Sequence, residues 1–145
     1  MQHFELHFQA EYIIHYQDSS EKWKKTTFEE LSIKRDIKRI QYNTRKYQNY
    51  IILDIDNDDI YAYKKANLPN PNFIVKNRYK QGAHLFYVLD RTVASEYYKE
   101  KWSHIQKSFS VLAKADEKNR GFIAKNLTFF IINLLLQSIC ILIKY

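Results

Sequence analysis

One apolar run, from Ile51 to Asp56 (IILDID), constrains the fold of this chain more than any other segment. With Tyr50 before it, the run has the length and the β-branched content of a buried strand. Side chains alternate along a strand, so Asp54 and Asp56 lie on one face, about 6–7 Å apart. Two carboxylates at one strand end repel each other unless a cation or water compensates them. The run therefore predicts a strand that carries a Mg²⁺ or Mn²⁺ site facing a phosphate-bearing substrate.

Length and composition indicate one basic globular domain. The chain has 145 residues, of which 46% are hydrophobic and 16% aromatic, and this composition argues against intrinsic disorder. The formal net charge of +7 and the pI of about 9.3 favour a polyanionic partner, nucleic acid first and an acidic membrane surface second. Ordinary solubilising charge is the alternative explanation, and net charge alone does not separate the two.

Cysteine usage and the N-terminus both favour a cytoplasmic protein. Cys140 is the only cysteine, which excludes an internal disulfide framework and a cysteine-based zinc site. The first residues, MQHFE, have no basic region followed by an apolar core, so they do not form a signal peptide. Nothing in these features indicates export.

Hydrophobic periodicity predicts helices and strands on both sides of the central run. Residues 1–27 have weak periodicity and are interpreted as an amphipathic helix or as edge structure. From Phe28 to Ile40 the apolar residues fit one face of a helix. Side chains from Asn57 to Asp59 can cap a short helix that continues to about Ala66.

The second half of the chain has clearer signals. Phe73–Lys76 and His84–Leu89 have the composition of strands, and the polar segment between them predicts a hairpin. Apolar residues recur every three or four positions from Tyr98 to Leu112, which predicts the best-defined helix of the chain. Residues 122–124 are again strand-like.

The C-terminal segment is uncharged for 17 residues, from Leu127 to Ile143 (LTFFIINLLLQSICILI). A membrane span usually needs about 20 residues, and Asn133, Gln137 and Ser138 argue against one. A buried helix or strand is the second interpretation, and a tail whose coding sequence is shifted or truncated is the third. We assign no function to residues 127–145.

Four short motifs follow one another in an order typical of one enzyme superfamily. They are Asp54-Ile55-Asp56, Gly82-Ala83-His84, Ala115-Asp116 and Lys125-Asn126. With the surrounding text (YIILDIDNDD, NLPNPNFIVKNRYKQGAHLFYVLDRTV and KADEKNRGFIAKN), the chain resembles the catalytic core of the archaeo-eukaryotic primase superfamily. It is most similar to the plasmid replicase family, whose members initiate theta-type plasmid replication and make their own primer. The resemblance covers about residues 38–126.

The resemblance implies a metal site for phosphoryl transfer. Asp54 and Asp56 match the family's paired metal-binding carboxylates, and Asp116 matches the third acidic position. Mg²⁺ or Mn²⁺ held there activates a 3′-hydroxyl and stabilises the leaving pyrophosphate. A DxD pair alone is a weak signal, since it recurs in sugar transferases and in acidic loops. For Asp116 the alternative is an ordinary charged turn at the end of a helix.

Two further residues acquire nucleotide-binding roles from the resemblance. His84 matches the small-x-His motif, in which the imidazole contacts the phosphates of the incoming nucleotide; a core or edge histidine is the alternative. Lys125 stands where the family has a Lys-Asn pair, which holds the triphosphate or the template backbone as a point charge. The family follows that pair with Pro, whereas this chain has Leu127, and the resemblance ends there.

A cluster of basic residues upstream of the strand is the candidate surface for template DNA. Its members are Lys34, Arg35, Lys38, Arg39, Arg45 and Lys46. Contacts with phosphate are independent of sequence, so the prediction is salt-sensitive binding. Tyr42, Tyr47 and Tyr50 lie among these residues and offer rings for stacking on unpaired bases. A solvated helix face with buried tyrosines is the alternative, and both interpretations remain open.

The leading hypothesis is a nucleotidyltransferase of the primase–polymerase type that makes or extends a primer on single-stranded DNA. It uses nucleoside triphosphates and Mg²⁺ or Mn²⁺. A non-catalytic basic DNA-binding module, an inactive truncated replicase and a DxD-type sugar transferase are the alternatives. Rolling-circle nicking is disfavoured, because it needs paired histidines one residue apart and His84 has no such neighbour.

The expected fold is α/β (α+β), with a small mixed or antiparallel sheet, flanking helices and a primase–polymerase-like catalytic core in residues 1–126. Asp54, Asp56, His84 and Asp116 should converge on that sheet. The resemblance also implies plasmid origin DNA as a partner, a host replication polymerase as a second one, and a plasmid-associated place in a bacterial cytoplasm. We expect no membrane partner despite the apolar tail. Family members continue into origin-reading helical regions, so this chain corresponds to the catalytic half.

Overall fold

The computed structural model of the chain describes residues 14–27, 30, 34, 36–57, 59–76 and 81–125. The strands with defined bounds are β1 (Ile14–Gln17), β2 (Trp23–Thr26), β3 (Arg39–Gln41), β4 (Gln48–Ile55), β5 (Phe73–Lys76), β6 (Ala83–Val93) and β7 (Ile123–Lys125). Within the described ranges, the helices with defined bounds are α1 (Ala62–Lys65) and α2 (Glu96–Leu112). The first sheet has the strand order β2-β1-β3-β7 and the second β4-β6-β5, and every strand pair is antiparallel.

The mixed α/β class is confirmed, with two small antiparallel sheets where the sequence predicted one. The first sheet exists because residues 14–26 form a hairpin of β1 and β2, so the edge-structure interpretation is right there and the helix interpretation is wrong. The predicted helix of residues 28–40 is wrong in its second half, because residues 34 and 36–38 are not helical and Arg39–Gln41 form β3 between β1 and β7. Most of the remaining residues of that segment lie outside the described ranges.

Strand β4 is covered on both faces, which explains why its sequence is apolar without alternation. Tyr50 and Ile52 face the first sheet in a core that includes Phe86, while Leu53 and Ile55 face α2 and α1 in a second core. Burial of both faces leaves Asp54 as the one carboxylate within the strand. The strand therefore delivers a charged group to the edge of the core between the sheets.

The tyrosines around β4 belong mainly to this core. Tyr42 and Tyr50 are only 4% and 0% exposed, and the Tyr42 ring makes edge-to-face contacts with Tyr50 at 5.6 Å and with Phe86 at 5.1 Å. The prediction that these two rings stack on DNA bases is therefore wrong. The alternative, that these tyrosines are buried, is confirmed for both. Tyr47 is half-buried, with the Lys46 ammonium 5.2 Å from its ring centroid.

On the edge of β4 that faces away from β6, the backbone groups form hydrogen bonds with side chains of α2 and with one loop. Gln106 of α2 accepts from the Ile52 N–H at 3.0 Å and donates to the Ile52 carbonyl at 2.5 Å. Trp102 Nε1 donates to the Tyr50 carbonyl at 2.9 Å. These contacts satisfy backbone groups that a neighbouring strand would otherwise pair, and they fix α2 against the second sheet.

The hairpin and helix predictions in the second half are also confirmed. Strands β5 and β6 pair from Phe73↔Phe86 to Lys76↔Ala83. Helix α2 begins two residues earlier than predicted, at Glu96, because the Ser95 hydroxyl accepts from the Tyr98 N–H as an N-cap. Helix α1 exists, but without a side-chain cap, since Asn57 instead accepts the Asp59 N–H in a turn before it. The capping part of that prediction is wrong.

The apolar segment 127–145, and with it all three interpretations of it, lies outside the described residues. Within the ranges that the structure describes, no helix has the length and apolar character needed to cross a bilayer.

A buried tyrosine hydroxyl on β6 predicts sensitivity to alkaline pH. Burial, with Tyr63 nearby, raises the pKa of Tyr87 from 10.0 to about 12, and the hydroxyl has no hydrogen-bond partner among the described residues. Between pH 10 and 12 the unfolded chain ionises this group and the folded chain does not, so stability falls as pH rises. Over this pH range the free energy of unfolding of Tyr87→Phe, measured in urea, should fall by about 1–2 kcal/mol less than that of the wild type.

The exposed Tyr61 provides the matched control for this measurement. Tyr61→Phe should follow the wild-type pH dependence, because its ring is solvated in both states. An identical decline in Tyr87→Phe and in wild type would show that the Tyr87 hydroxyl is not protected from ionisation by folding.

Candidate active site

The antiparallel pairing of β4 and β6 places Asp54 directly opposite His84. Oδ1 of Asp54 lies 3.2 Å from Nε2 of His84, and the Asp54 side chain is 27% exposed. His84 is buried, with its ring against Phe86. Both side chains extend from the face of the second sheet that is turned toward the first, so the two motifs that were separate in sequence form one contact.

The loop that follows α2 brings the third acidic motif to the same strand. The Asp116 N–H donates to the Asp54 carbonyl at 2.8 Å, continuing the paired edge of β4. Asn119 Nδ2 donates to Asp54 Oδ2 at 3.2 Å. The loop thus contributes a carboxylate, Asp116, and a neutral partner for the Asp54 carboxylate.

These residues line a cleft of about 590 Å³ between the ends of the two sheets. Asp56, exposed one residue beyond β4, lies on its wall together with Asp54 and Asp116. The other charged lining residues are cations: Arg39 at the start of β3, and Lys118 and Arg120 in the loop after α2. Carboxylates and cations therefore share one open cleft, as expected where metal ions and phosphates bind together.

The donor set fits Mg²⁺ or Mn²⁺ in kind, since three carboxylates line one cleft and these ions prefer carboxylate oxygens. Among the described residues, however, no group of three or more His, Cys, Asp or Glu side chains is already arranged to hold a metal ion. Asp54 is in contact with His84 and Asn119 instead.

Gly82 shapes the cleft where β6 begins. Its φ of +109° lies in a region that side-chain-bearing residues rarely adopt, and a Cβ there would overlap the carbonyl oxygen of Ile55. The backbone of Gly82 therefore packs directly against the end of β4, next to Asp56. This close approach is the physical reason why a residue without a side chain stands two positions before His84.

Replacing Gly82 should disturb the end of β4. We expect Gly82→Ala to lose about 1–3 kcal/mol of unfolding free energy, because it adds both backbone strain and a clash with a carbonyl oxygen. Urea unfolding measures this loss. The exposed neighbour Gln81 is the control, and Gln81→Ala should stay within about 0.5 kcal/mol of wild type. Equal midpoints for both variants would contradict the close packing of Gly82.

The residues of the predicted basic surface lie in separate places in the folded protein. Among the members of this surface that the structure describes, only Arg39 lines the cleft. Arg45 and Lys46 are exposed in the turn that precedes β4, at the end of the strand opposite to Asp54. Lys34 and Lys38 are exposed elsewhere, with the Lys34 ammonium 5.6 Å from the Tyr16 ring centroid.

Two predicted residues are only partly described or lie outside the described ranges. Lys125 ends β7, where its backbone pairs with Arg39, and its side chain is outside the description. Arg35 is outside the described residues. The pairing with Arg39 still places the backbone of Lys125 on the strand that contributes Ile123 and Ala124 to the cleft wall.

The comparisons with known proteins agree with this geometry. A model of the Replicase family matches residues 10–128, which is most of the chain. The chain belongs to the Replicase family. The match extends on both sides beyond the segment whose motifs carry the resemblance, residues 38–126. Membership supports a role in replication with primase- or polymerase-like chemistry, and no curated protein matches this Replicase-family chain significantly.

A solved structure shares the fold of this Replicase-family chain. It is the AEP domain of the cyanophage S-2L primase–polymerase, with a TM-score of 0.59, 16% sequence identity, and coverage of 78% of this chain and 70% of the other. At this identity the likeness concerns the fold alone. The primase–polymerase-like architecture expected from the sequence is thereby confirmed.

Sequence reasoning missed Gln81 and three polar residues of the loop after α2 that line the cleft of this Replicase-family chain. Asn119, Lys118 and Arg120 all sit in the loop after α2, within matched text that gave roles to Asp116 and Lys125 alone. The signal that points to the loop is the Asn-Arg-Gly sequence, a turn pattern in which an Asn side chain bonds the backbone two residues on. Nothing in the pattern indicates that the amide also reaches Asp54.

Proposed function

We propose that this chain carries a primase–polymerase-type nucleotidyltransferase site that makes or extends a primer on single-stranded DNA. The observation that supports it is the convergence of Asp54, His84 and Asp116, from three separate motifs, in one cleft that also contains Asp56. Convergence is what the catalytic hypothesis requires. A placement of Asp54 and His84 on opposite faces of the sheet would have excluded it.

Asp54, Asp56 and Asp116 are the residues that would hold Mg²⁺ or Mn²⁺. Bound there, the ions would supply charge neutralisation at the triphosphate and activation of the attacking 3′-hydroxyl. For this role the carboxylates remain ionised and present oxygen ligands. Asp56 is exposed, lies beyond the last residue of β4 and lines the cleft, whereas Asp54 is oriented by its neighbours.

The cations of the cleft provide the phosphate-binding side of the site. Arg39, Lys118 and Arg120 line the same space as the carboxylates and balance their charge. Arg39 presents a planar fork suited to phosphate oxygens. We place the triphosphate between these cations and His84, and the template strand along the open side of the cleft. Lys125 remains a proposed triphosphate or template contact, carried over from the family motif.

His84 has two roles in this proposal. In the structure its Nε2 lies 3.2 Å from Asp54 Oδ1, so it orients a carboxylate that is to hold the ion. Contact with a nucleotide phosphate requires this nitrogen to exchange Asp54 for a phosphate oxygen. Such an exchange would couple arrival of the nucleotide to release of Asp54 toward the cation.

The experiment is primer synthesis by the purified protein on single-stranded DNA with labelled nucleoside triphosphates and Mg²⁺ or Mn²⁺. Product that depends on the cation and disappears with chelator is the expected result. A folded protein that binds single-stranded DNA but yields no product under either cation would contradict the enzyme proposal and favour the basic DNA-binding module. Ribo- and deoxynucleotides are assayed separately, so that the sugar preference of the site is measured.

A further inference from the structure

The second oxygen of the Asp54 carboxylate is held by Asn119. Nδ2 of Asn119 donates to Oδ2 at 3.2 Å, while Oδ1 lies 3.2 Å from His84 Nε2. Each carboxylate oxygen therefore has a different protein partner, and contacts on both oxygens restrict rotation of the group about its last bond. A carboxylate oxygen has two acceptor sites, so a hydrogen bond from a neighbouring side chain and a bond to a cation are compatible on one carboxylate.

The side-chain amide of Asn119 is oriented by a second hydrogen bond. The Gly121 N–H donates to Oδ1 of Asn119 at 2.9 Å, so the NH₂ group must face Asp54. A reversed amide would set its oxygen against the Asp54 carboxylate and its NH₂ against the Gly121 N–H. Both contacts would be repulsive, and the observed orientation is the one that the loop enforces.

The loop itself is tied to β4 at two points. The Asp116 N–H donates to the Asp54 carbonyl at 2.8 Å, and the Asn119 N–H donates to the Asp116 carbonyl at 3.2 Å. At the other end, the Gly121 carbonyl accepts from Nδ2 of the fully buried Asn43, whose Oδ1 accepts from the Tyr50 N–H. Asn119 is thus fixed to the same strand that carries Asp54.

We propose that Asn119 is a positioning residue that presents the Asp54 carboxylate to the divalent cation. The inference rests on the proposed function, because it takes Asp54 as a metal ligand. Partners that orient a metal-binding group typically change metal affinity by 10- to 100-fold when they are removed. Loss of the Asn119 donor should therefore weaken Mn²⁺ binding by about 10- to 100-fold.

Two substitutions separate positioning of Asp54 from support of the loop. In Asn119→Ser the hydroxyl still accepts from the Gly121 N–H, as Ser does in such turns, but it is too short to reach Asp54. Asn119→Ala removes both bonds. The Mn²⁺ affinity of each protein, measured by calorimetry without DNA or nucleotide, should fall about 10- to 100-fold in both variants, with the Ser variant melting close to wild type.

Glu117→Gln is the matched control, since Glu117 is exposed in the same turn and does not line the cleft. It should bind Mn²⁺ as wild type does. Wild-type affinity in Asn119→Ser, with a loss in Asn119→Ala alone, would overturn the inference and leave the proposed function standing. A wild-type protein that binds no Mn²⁺ would overturn both.

Kinetics give a second, independent readout. If Asn119 positions Asp54, Asn119→Ser should raise the Mn²⁺ concentration for half-maximal primer synthesis and leave the KM for single-stranded DNA unchanged. An unchanged Mn²⁺ dependence with a higher KM for DNA would overturn the inference, because it would place Asn119 at the template instead.

Discussion

Replacing Asp54 by Asn should reduce primer synthesis by about 10³-fold or more, while the affinity for single-stranded DNA stays within about twofold. The substitution keeps the shape of the side chain and removes its negative charge, so a metal ligand is lost without a cavity. A loss of about 4 kcal/mol of transition-state stabilisation corresponds to this factor. The rate of labelled-nucleotide incorporation at saturating Mn²⁺ measures the first effect, and fluorescence anisotropy of a labelled oligonucleotide measures the second.

Asp90 offers the control for this substitution. It is an exposed carboxylate on β6, the strand that also carries His84, and it does not line the cleft. Asp90→Asn removes the same charge from the same sheet and should retain wild-type synthesis. Comparable losses in both variants would show that net charge, and not a site at Asp54, governs the activity.

Gln106→Leu should destabilise the protein by about 3 kcal/mol and lower the melting temperature by about 10 °C. Leu fills similar space but leaves the Ile52 N–H and carbonyl without the partners that Gln106 supplies at 3.0 and 2.5 Å. Each buried backbone group left unpaired costs about 1–3 kcal/mol. Because Gly121 packs against the Gln106 amide, the substitution should also loosen the loop that carries Asn119.

Urea unfolding and thermal melting test this prediction, with Lys107→Leu as the control. Lys107 is the exposed neighbour on α2, and its replacement should stay within about 0.5 kcal/mol of wild type. Equal stabilities of the two variants would mean that water replaces Gln106 at the edge of β4, and the side-chain pairing of that edge would then carry little of the stability.

The parts of the fold that were predicted correctly are those with a strong local signal. Strand β4 has an uninterrupted apolar run because both of its faces are buried, and α2 has apolar residues at helical spacing because one face packs on the sheet. The hairpin of β5 and β6 follows from two β-rich segments close together in sequence. In each case the spacing of apolar residues within a segment reflects which faces of that same segment are buried.

The first sheet was not predicted because its pairings are long-range. Strand β3 has three residues and is held between β1 and β7, about 25 residues before it and 80 after it, and no local periodicity encodes such partners. Ile40 fits a helix face equally well until the strand pairing is known. The tyrosines were ambiguous for the same reason, since Tyr42 and Tyr50 are buried only because the two sheets meet there.

The residues of the candidate site also fall into a group that local sequence predicted and a group that it did not. Asp54, Asp56, His84 and Asp116 were found from motifs, and the structure brings them to one cleft. Asn119, Lys118 and Arg120 were missed because their function depends on where the loop after α2 crosses the end of β4. Of the six basic residues chosen by charge, Arg39 alone reaches the cleft among those that are described. The charge of a sequence segment indicates the class of partner that it binds, whereas the place of each charged residue in the folded protein depends on the topology.

The most direct test of the central claim is anomalous diffraction at the manganese edge from crystals of the protein grown with Mn²⁺ and a non-hydrolysable nucleoside triphosphate. The account predicts an anomalous peak in the cleft with Asp54, Asp56 and Asp116 as protein ligands and the triphosphate beside Arg39. Nucleotide bound in the cleft without a manganese peak at these carboxylates, or manganese bound elsewhere on the chain, would contradict the assignment of the site.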